Sequence, residues 1–162
     1  MTLVVLLGGA RSGKSSRAVT MAREAGAAVV FIATGEARDE EMARRIDEHR
    51  RERPAEWTTV EEPLDLRAAL EATPTGSTVV IDCLSLWVAN LLERGDDPGD
   101  LSSGAAARQG LTIAVSNEVG LGIVPANALA RRFRDVLGRV NAAWVEASDE
   151  AFLCIAGRMI TL

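Results

Sequence analysis

Gly8-Gly9-Ala10-Arg11-Ser12-Gly13-Lys14-Ser15 is the stretch whose reading decides the fold. It fills every fixed position of the GxxxxGK[ST] pattern. An apolar run, Leu3 to Leu7, leads into it, and a stretch of helical period over residues 15–25 leads away. Glycines let such a turn curl until several backbone N–H groups point inward at phosphate oxygens, and the helix N-terminus adds partial positive charge. The pattern predicts Lys14 on the β- and γ-phosphates of a nucleotide and the Ser15 hydroxyl on Mg²⁺. Lys14 is the single lysine beside 17 arginines. A rigid, forked guanidinium does not substitute for a compact ammonium there. The bland alternative is a glycine-rich turn with no ligand, and motif and context together argue against it.

Outward from the cradle, apolar runs alternate with helical periodicity. Strands are expected at residues 28–32, 78–82, 111–116 and 151–156. A charged helix over 39–53 places Met42, Ile46 and His49 on one face, and Pro54 closes it. Further helices are expected over 64–72, over the run marked by Leu84, Trp87, Val88, Leu91 and Leu92, and over 126–148. Residues 95–110, rich in Gly, Asp and Ser, read as a loop, and 157–162 are too few to interpret alone. Strands apolar on both faces, alternating with helices, predict a mostly parallel sheet in a doubly wound three-layer α/β sandwich. The 162 residues show no internal repeat and are read as one domain, 1–162.

Composition narrows the classes. At 48% hydrophobic and 25% charged residues the chain is not disordered as a whole. A net charge of −5 argues against a nucleic-acid surface. Cys83 and Cys154 both lie in apolar surroundings and suit free thiols in a reducing compartment. No apolar run approaches the ~18 residues of a membrane span, and no basic segment with a signal-like core opens the chain, so a cytoplasmic location is expected.

Three further groups are candidates. Asp82 ends a β-branched run as a Walker B carboxylate does, supporting Mg²⁺, although parallel strands also end in Asp as a cap. His49, the only histidine, has Arg45, Arg50, Arg51 and Arg53 around it. It is either a solvated helix-terminal residue near the dipole, or an imidazole kept neutral by those arginines and nucleophilic toward phosphorus. Glu61-Glu62-Pro63 is either an exposed acidic loop or a source of carboxylates for guanine donors. A regulatory GTPase needs an [NT]KxD segment, which a chain with Lys14 as its only lysine cannot contain. The DxxG match at Asp135 to Gly138 falls inside a helix. A recombinase or helicase ATPase needs more length and a basic surface. A small-metabolite kinase with Arg50, Arg51 and Arg53 as lid arginines fits better, with a non-catalytic nucleotide-binding module as the alternative from another class.

The chain resembles the bifunctional adenosylcobinamide kinase / adenosylcobinamide-phosphate guanylyltransferase family of cobalamin biosynthesis. The resemblance rests on GGARSGKS at 8–15, IAT at 32–34, DEEMARRIDEHRRERPAEW at 39–57 and EEP at 61–63. It continues through DCLSLWVANLL at 82–92, SNEVGLGIVP at 116–125 and RRFRDVLGRVN at 131–141. It implies an α/β P-loop NTPase (RecA-like) three-layer sandwich. It implies two reactions, phosphorylation of the aminopropanol hydroxyl of adenosylcobinamide and then transfer of GMP from GTP to that phosphate. His49 would carry the GMP. Nucleotide contacts, to GTP or ATP, would come from Gly8 to Ser15, from Ala33, Thr34 and Gly35, and from Arg50, Arg51, Glu52 and Arg53. Glu61 or Glu62, Asp82 and Leu84 would complete them, with Ser15 and Asp82 holding Mg²⁺. The resemblance also implies a homotrimer. This chain is shorter than the family pattern over 95–110, and one cradle must serve attack at the γ-phosphate in one reaction and at the α-phosphate in the other.

Overall fold

The computed structural model describes residues 1–51 and 53–162, Arg45 by its backbone alone. In chain order the elements are β1 (Thr2–Gly8), α1 (Lys14–Glu24), β2 (Val29–Ala33), α2 (Glu40–Arg51) and β3 (Thr58–Glu61). Then follow α3 (Leu66–Glu71), β4 (Thr78–Asp82), α4 (Leu84–Arg94), α5 (Ser102–Ala107), β5 (Leu111–Asn117), α6 (Ala128–Glu146), β6 (Glu150–Ile155) and β7 (Arg158–Thr161). The strands form one sheet in the order β3-β2-β4-β5-β1-β6-β7. All neighbours are parallel except β7, which returns antiparallel to β6. The fold is the expected α/β sandwich with a mostly parallel sheet. Strand β5 separates β1 from β4, so the strand that feeds the glycine turn does not pair with the strand that ends in Asp82.

Side chains obey the two-residue strand period. Leu3, Val5, Leu7, Val30, Ile32, Val79 and Ile81 face one layer with Leu66, Leu84, Trp87, Leu137 and Trp144 from α3, α4 and α6. Val4, Leu6, Phe31, Val80 and Val115 face the other, where Ala18 and Ala22 of α1 cover them. Coverage is therefore lopsided. Among the described residues, α2 contributes to neither core cluster; its apolar face has another use, described below.

Three elements depart from the sequence reading. β3 goes beyond it, a four-residue edge strand with polar, mostly exposed side chains. β7 is likewise a short edge strand, paired only with β6. Residues 95–110 are not all loop, since Ser102–Ala107 form α5, seated through Leu101 and Ala105 in the core. Arg108 closes that segment. Its guanidinium donates to Thr73 Oγ1 at 3.0 Å, to Ser77 O at 2.5 Å and to Ser77 Oγ at 2.7 Å, with longer contacts to Leu111 O and Thr112 Oγ1 at 3.4 Å. No carboxylate shares these bonds, and partial burial lowers the pKa of the guanidinium. Arg108→Ala strands several acceptors at the N-terminal ends of β4 and β5. We expect a loss of about 1–3 kcal/mol in urea unfolding, with nucleotide binding intact once folded.

Candidate active site

The glycine turn joins β1 to α1 at the C-terminal edge of the sheet, where ligands of open α/β sheets bind. Two glycines are required there by contact. A Cβ on Gly8 would lie 2.5 Å from Cys154 O and 2.6 Å from Ser12 Oγ. Gly13 has φ +94°, and a Cβ there would meet Gly157 Cα at 3.2 Å. Within the turn Ser12 N donates to Gly9 O at 3.3 Å, and Gly157 N, from the β6–β7 hairpin, donates to Ser12 O at 2.9 Å. The α1 ladder begins with Arg17 N to Gly13 O at 3.0 Å. The helix amides before Arg17 precede that ladder, as at any helix start, and supply anion-binding donors. Lys14, largely buried, folds back so that Nζ donates to Gly9 O at 2.9 Å.

The strand register brings the next groups to the same edge. Gly8 lies opposite Asn117, and Asp82 lies opposite both Ala33 and Val115. Asp82 is the meeting point. Ser15 Oγ donates to its Oδ1 at 3.4 Å, and His49 Nδ1 lies 3.4 Å from its Oδ2. An ionised Asp82 selects the tautomer with the proton on Nδ1, leaving the Nε2 lone pair for chemistry. Thr34, fully buried, braces this corner from behind. Its hydroxyl donates to Cys83 O at 2.7 Å and accepts from Cys83 N at 2.8 Å, while its own amide donates to Asp82 O at 3.1 Å. Cys83 is no rival nucleophile, because burial first and the Asp82 charge second push its thiol pKa up to about 11.

His49 reaches Asp82 because α2 is built to hold it there. Asp39 caps the helix, accepting from Met42 N at 2.7 Å. Glu40 and Glu41 in the first turn, and His49, Arg50 and Arg51 in the last, complement the helix dipole. The face carrying Met42, Ile46 and His49 lines a cleft of about 670 Å³ with Ala10 to Ser16, Ala33, Gly35, Arg50, Arg53, Glu61, Asp82, Leu86 and Asn117. The cleft has the glycine turn at one end and apolar side chains, Ile46 and Leu86, along its wall. A smaller hollow of about 300 Å³ near Arg67 and Arg108 holds none of these motif residues.

A charged group that faces His49 is the Asp82 carboxylate, 3.4 Å from Nδ1. Arg50 turns to Asp47 and Glu61. Arg53 stacks on Phe31, 3.7 Å from the ring centroid. Arg51 is exposed, outside the cleft lining, and Glu52 lies outside the described residues. The two acidic neighbours divide. Glu61 lines the cleft, whereas Glu62 Oε1 accepts from Leu64 N at 3.0 Å and Asp65 N at 2.8 Å, a turn cap. Leu84 is fully buried in the core, so its side chain is packing. Gly8, Gly9 and Thr34 shape the site without lining the cleft. Sequence reasoning missed Asn117, at the end of β5 beside the turn, although it lies inside the quoted SNEVGLGIVP segment. Its signal was topological, since only the strand order reveals that β5 sits between the two phosphate-site strands.

Mg²⁺ favours a few oxygen ligands completed by phosphate and water. One hydroxyl and one carboxylate side by side, Ser15 and Asp82, fit that demand. No cluster of three or more His, Cys, Asp or Glu side chains suited to a metal occurs among the described residues.

A P-loop nucleotide-binding protein is what this fold and cleft define. Residues 4–162 match the family described as cobinamide kinase / cobinamide phosphate guanyltransferase. The chain belongs to that family. It is 46% identical over 161 residues to the bifunctional adenosylcobalamin biosynthesis protein CobP of Pseudomonas aeruginosa, covering 94% of this chain and 92% of that one. It is 38% identical to the bifunctional adenosylcobalamin biosynthesis protein CobU of Salmonella typhimurium, covering 96% of each.

Proposed function

We propose that this enzyme transfers the γ-phosphate of a nucleoside triphosphate to the aminopropanol hydroxyl of adenosylcobinamide, and then moves GMP from GTP onto that phosphate through His49. Family membership supports the pair of activities. The observation that carries the residue assignment is that one carboxylate, Asp82, touches both the P-loop hydroxyl of Ser15 and the imidazole of His49, each at 3.4 Å.

In the first reaction the acceptor hydroxyl oxygen bonds to the γ-phosphorus and gives up its proton to solvent, the bond to the β–γ bridging oxygen breaks, and the nucleoside diphosphate leaves. Lys14 and the amides of the turn neutralise charge on the transferring oxygens. Mg²⁺ held by Ser15 and Asp82 would supply further charge neutralisation. In the second reaction His49 Nε2 bonds to the α-phosphorus of GTP and pyrophosphate leaves. The Nδ1–H donated to Asp82 stabilises the positive charge that grows on the ring. A phosphate oxygen of the cobinamide phosphate then attacks the same phosphorus and the N–P bond breaks. Two displacements let one nucleophile exchange pyrophosphate for the corrinoid phosphate. Glu61 lines the cleft and Glu62 does not, which supports Glu61 as the carboxylate that takes guanine N–H donors, with Arg50 yielding to the base.

ATP and GTP both suit the phosphate cradle. Both reactions consume triphosphates, which supports a cytoplasmic location; no helix among the described residues is long and apolar enough to cross a membrane. A homotrimer, carried over from the resemblance, would cover exposed Leu121, Ile123 and Val124, and sedimentation equilibrium tests it. Incubation with Mg²⁺ and GTP labelled at the α-phosphate should leave label on the denatured protein that survives base and is lost in acid, as a phosphoramidate is. A single-activity kinase, or a binding module, takes up none.

A further inference from the structure

The buried face of α4 carries two polar side chains, Ser85 and the carboxamide of Asn90. Asn90 is 4% exposed, and a buried amide must find its partners within the protein. Its Nδ2 donates to Thr34 O at 2.8 Å and to Pro63 O at 3.1 Å, and its Oδ1 accepts from Arg38 Nη2 at 2.9 Å. These partners belong to two separate segments. Thr34 and Arg38 lie in the connection from β2 to α2, at its start and just before the helix; Pro63 follows β3, two residues beyond Glu61. Ion pairs at the surface close the same connection onto α4. Arg38 meets Glu36 at 2.6 Å and also Glu93, and Arg94 meets Glu36 at 3.3 Å. Exposed pairs of this kind contribute little alone. The desolvated amide at their centre fixes the geometry.

Asn90 bonds to no residue of the glycine turn. That turn is held from the other side, by β1, α1 and the Gly157 contact. Helix α2 has no such foundation, since among the described residues it supplies nothing to either core cluster. Its placement depends on its tethers. His49 to Asp82 and Arg50 to Glu61 hold its C-terminal end, and the Asn90–Arg38 bond holds the chain entering its N-terminal end.

We propose that Asn90 is a positioning residue for the guanylyl-transfer half of the reaction, clamping the β2–α2 connection and the turn after β3 so that His49 and Glu61 stand over the phosphate cradle. The assignment rests on the two-reaction reading above, and its consequence is asymmetric. Loosening the clamp broadens where His49 Nε2 sits relative to the α-phosphorus, while Lys14 and Ser15 stay on the backbone-held turn and Asp82 stays at the end of β4, paired with β2 and β5 as well as braced by Thr34.

The test compares Asn90→Asp and Arg38→Gln with wild type. Asn90→Asp keeps an acceptor for Arg38 but faces two carbonyl oxygens with a carboxylate; Arg38→Gln changes a side chain at the surface and guards against a folding failure. Initial rates of base-stable label uptake from α-labelled GTP, and of cobinamide phosphorylation with ATP, are measured on each. Hydrogen exchange over residues 40–51 is followed beside that of α1. Guanylylation should fall about 10- to 100-fold more than phosphorylation, with exchange accelerated in α2 and not in α1. Parallel loss of both activities, with exchange faster everywhere, would reduce Asn90 to a packing residue and overturn the proposal. So would unchanged labelling in folded variants. If wild type itself takes no label, the two-reaction reading fails instead, and unaltered α2 exchange in the variants would then remove the clamp as well.

Discussion

Lys14→Ala should slow cobinamide phosphorylation by about 10²–10³-fold at saturating ATP, the usual consequence of deleting one preorganised charge donor from a transition state. Lys14 is buried against the turn, with Nζ 2.9 Å from Gly9 O. In the proposed reading it is the cation that meets the β- and γ-phosphates. The fold should survive its loss. The bond from Ser12 N to Gly9 O, the brace from Gly157 N to Ser12 O and the α1 ladder from Arg17 N all use backbone alone. Thermal unfolding of the variant should therefore stay within a few degrees of wild type. Lys14→Arg should not restore turnover, because the planar fork is wider than the space that the curled backbone leaves for an ammonium. Wild-type turnover in the alanine variant would take the turn out of the mechanism.

His49→Ala should abolish acid-labile labelling from α-labelled GTP entirely. It is the only histidine in the chain, so no second imidazole can accept the nucleotide. Cobinamide phosphorylation should fall far less, by under about tenfold, since Ser15 and Lys14 are untouched and Asp82 loses only a lateral contact of 3.4 Å. Single-turnover assays with each labelled phosphate separate the two outcomes. Label that persists on the alanine variant would move the nucleophile to another residue and dissolve the role given to Asp82. Equal loss of both activities would mean that the imidazole serves the γ-phosphate as well.

The glycine turn, the parallel strands and the amphipathic helices were legible because each follows a local rule. Motif spacing, two-faced apolar runs and the 3.6 period are written within a few residues of one another. The lopsided coverage was not, since the apolar face of α2 looks like any core-seeking stripe until the structure shows Ile46 against Leu86 and the cleft. The edge strands β3 and β7 escaped because one-sided pairing demands neither apolar alternation nor length. Charge was the other blind spot. Arginines near His49 in sequence draw attention to cations, whereas Arg50 pairs with Asp47 and Glu61. The carboxylate that does face the imidazole lies 33 positions away and arrives only through the sheet. Division of labour between Glu61 and Glu62 is equally invisible in the sequence, as both are acidic and adjacent, and only the turn at Leu64 and Asp65 separates them.

The hairpin that touches the glycine turn sets an order on synthesis. Strand β1 pairs with β5 and β6, and Gly157 supplies the amide that ties down Ser12. The phosphate-binding segment is made before its braces, which come from β5, β6 and Gly157. Until residue 157 has cleared the ribosome, β1 is an apolar strand with unfinished edges. The growing polypeptide should therefore gain affinity for nucleotide only once residue 157 has emerged, and truncation just before the hairpin should abolish it while leaving residues 1–25 intact in sequence.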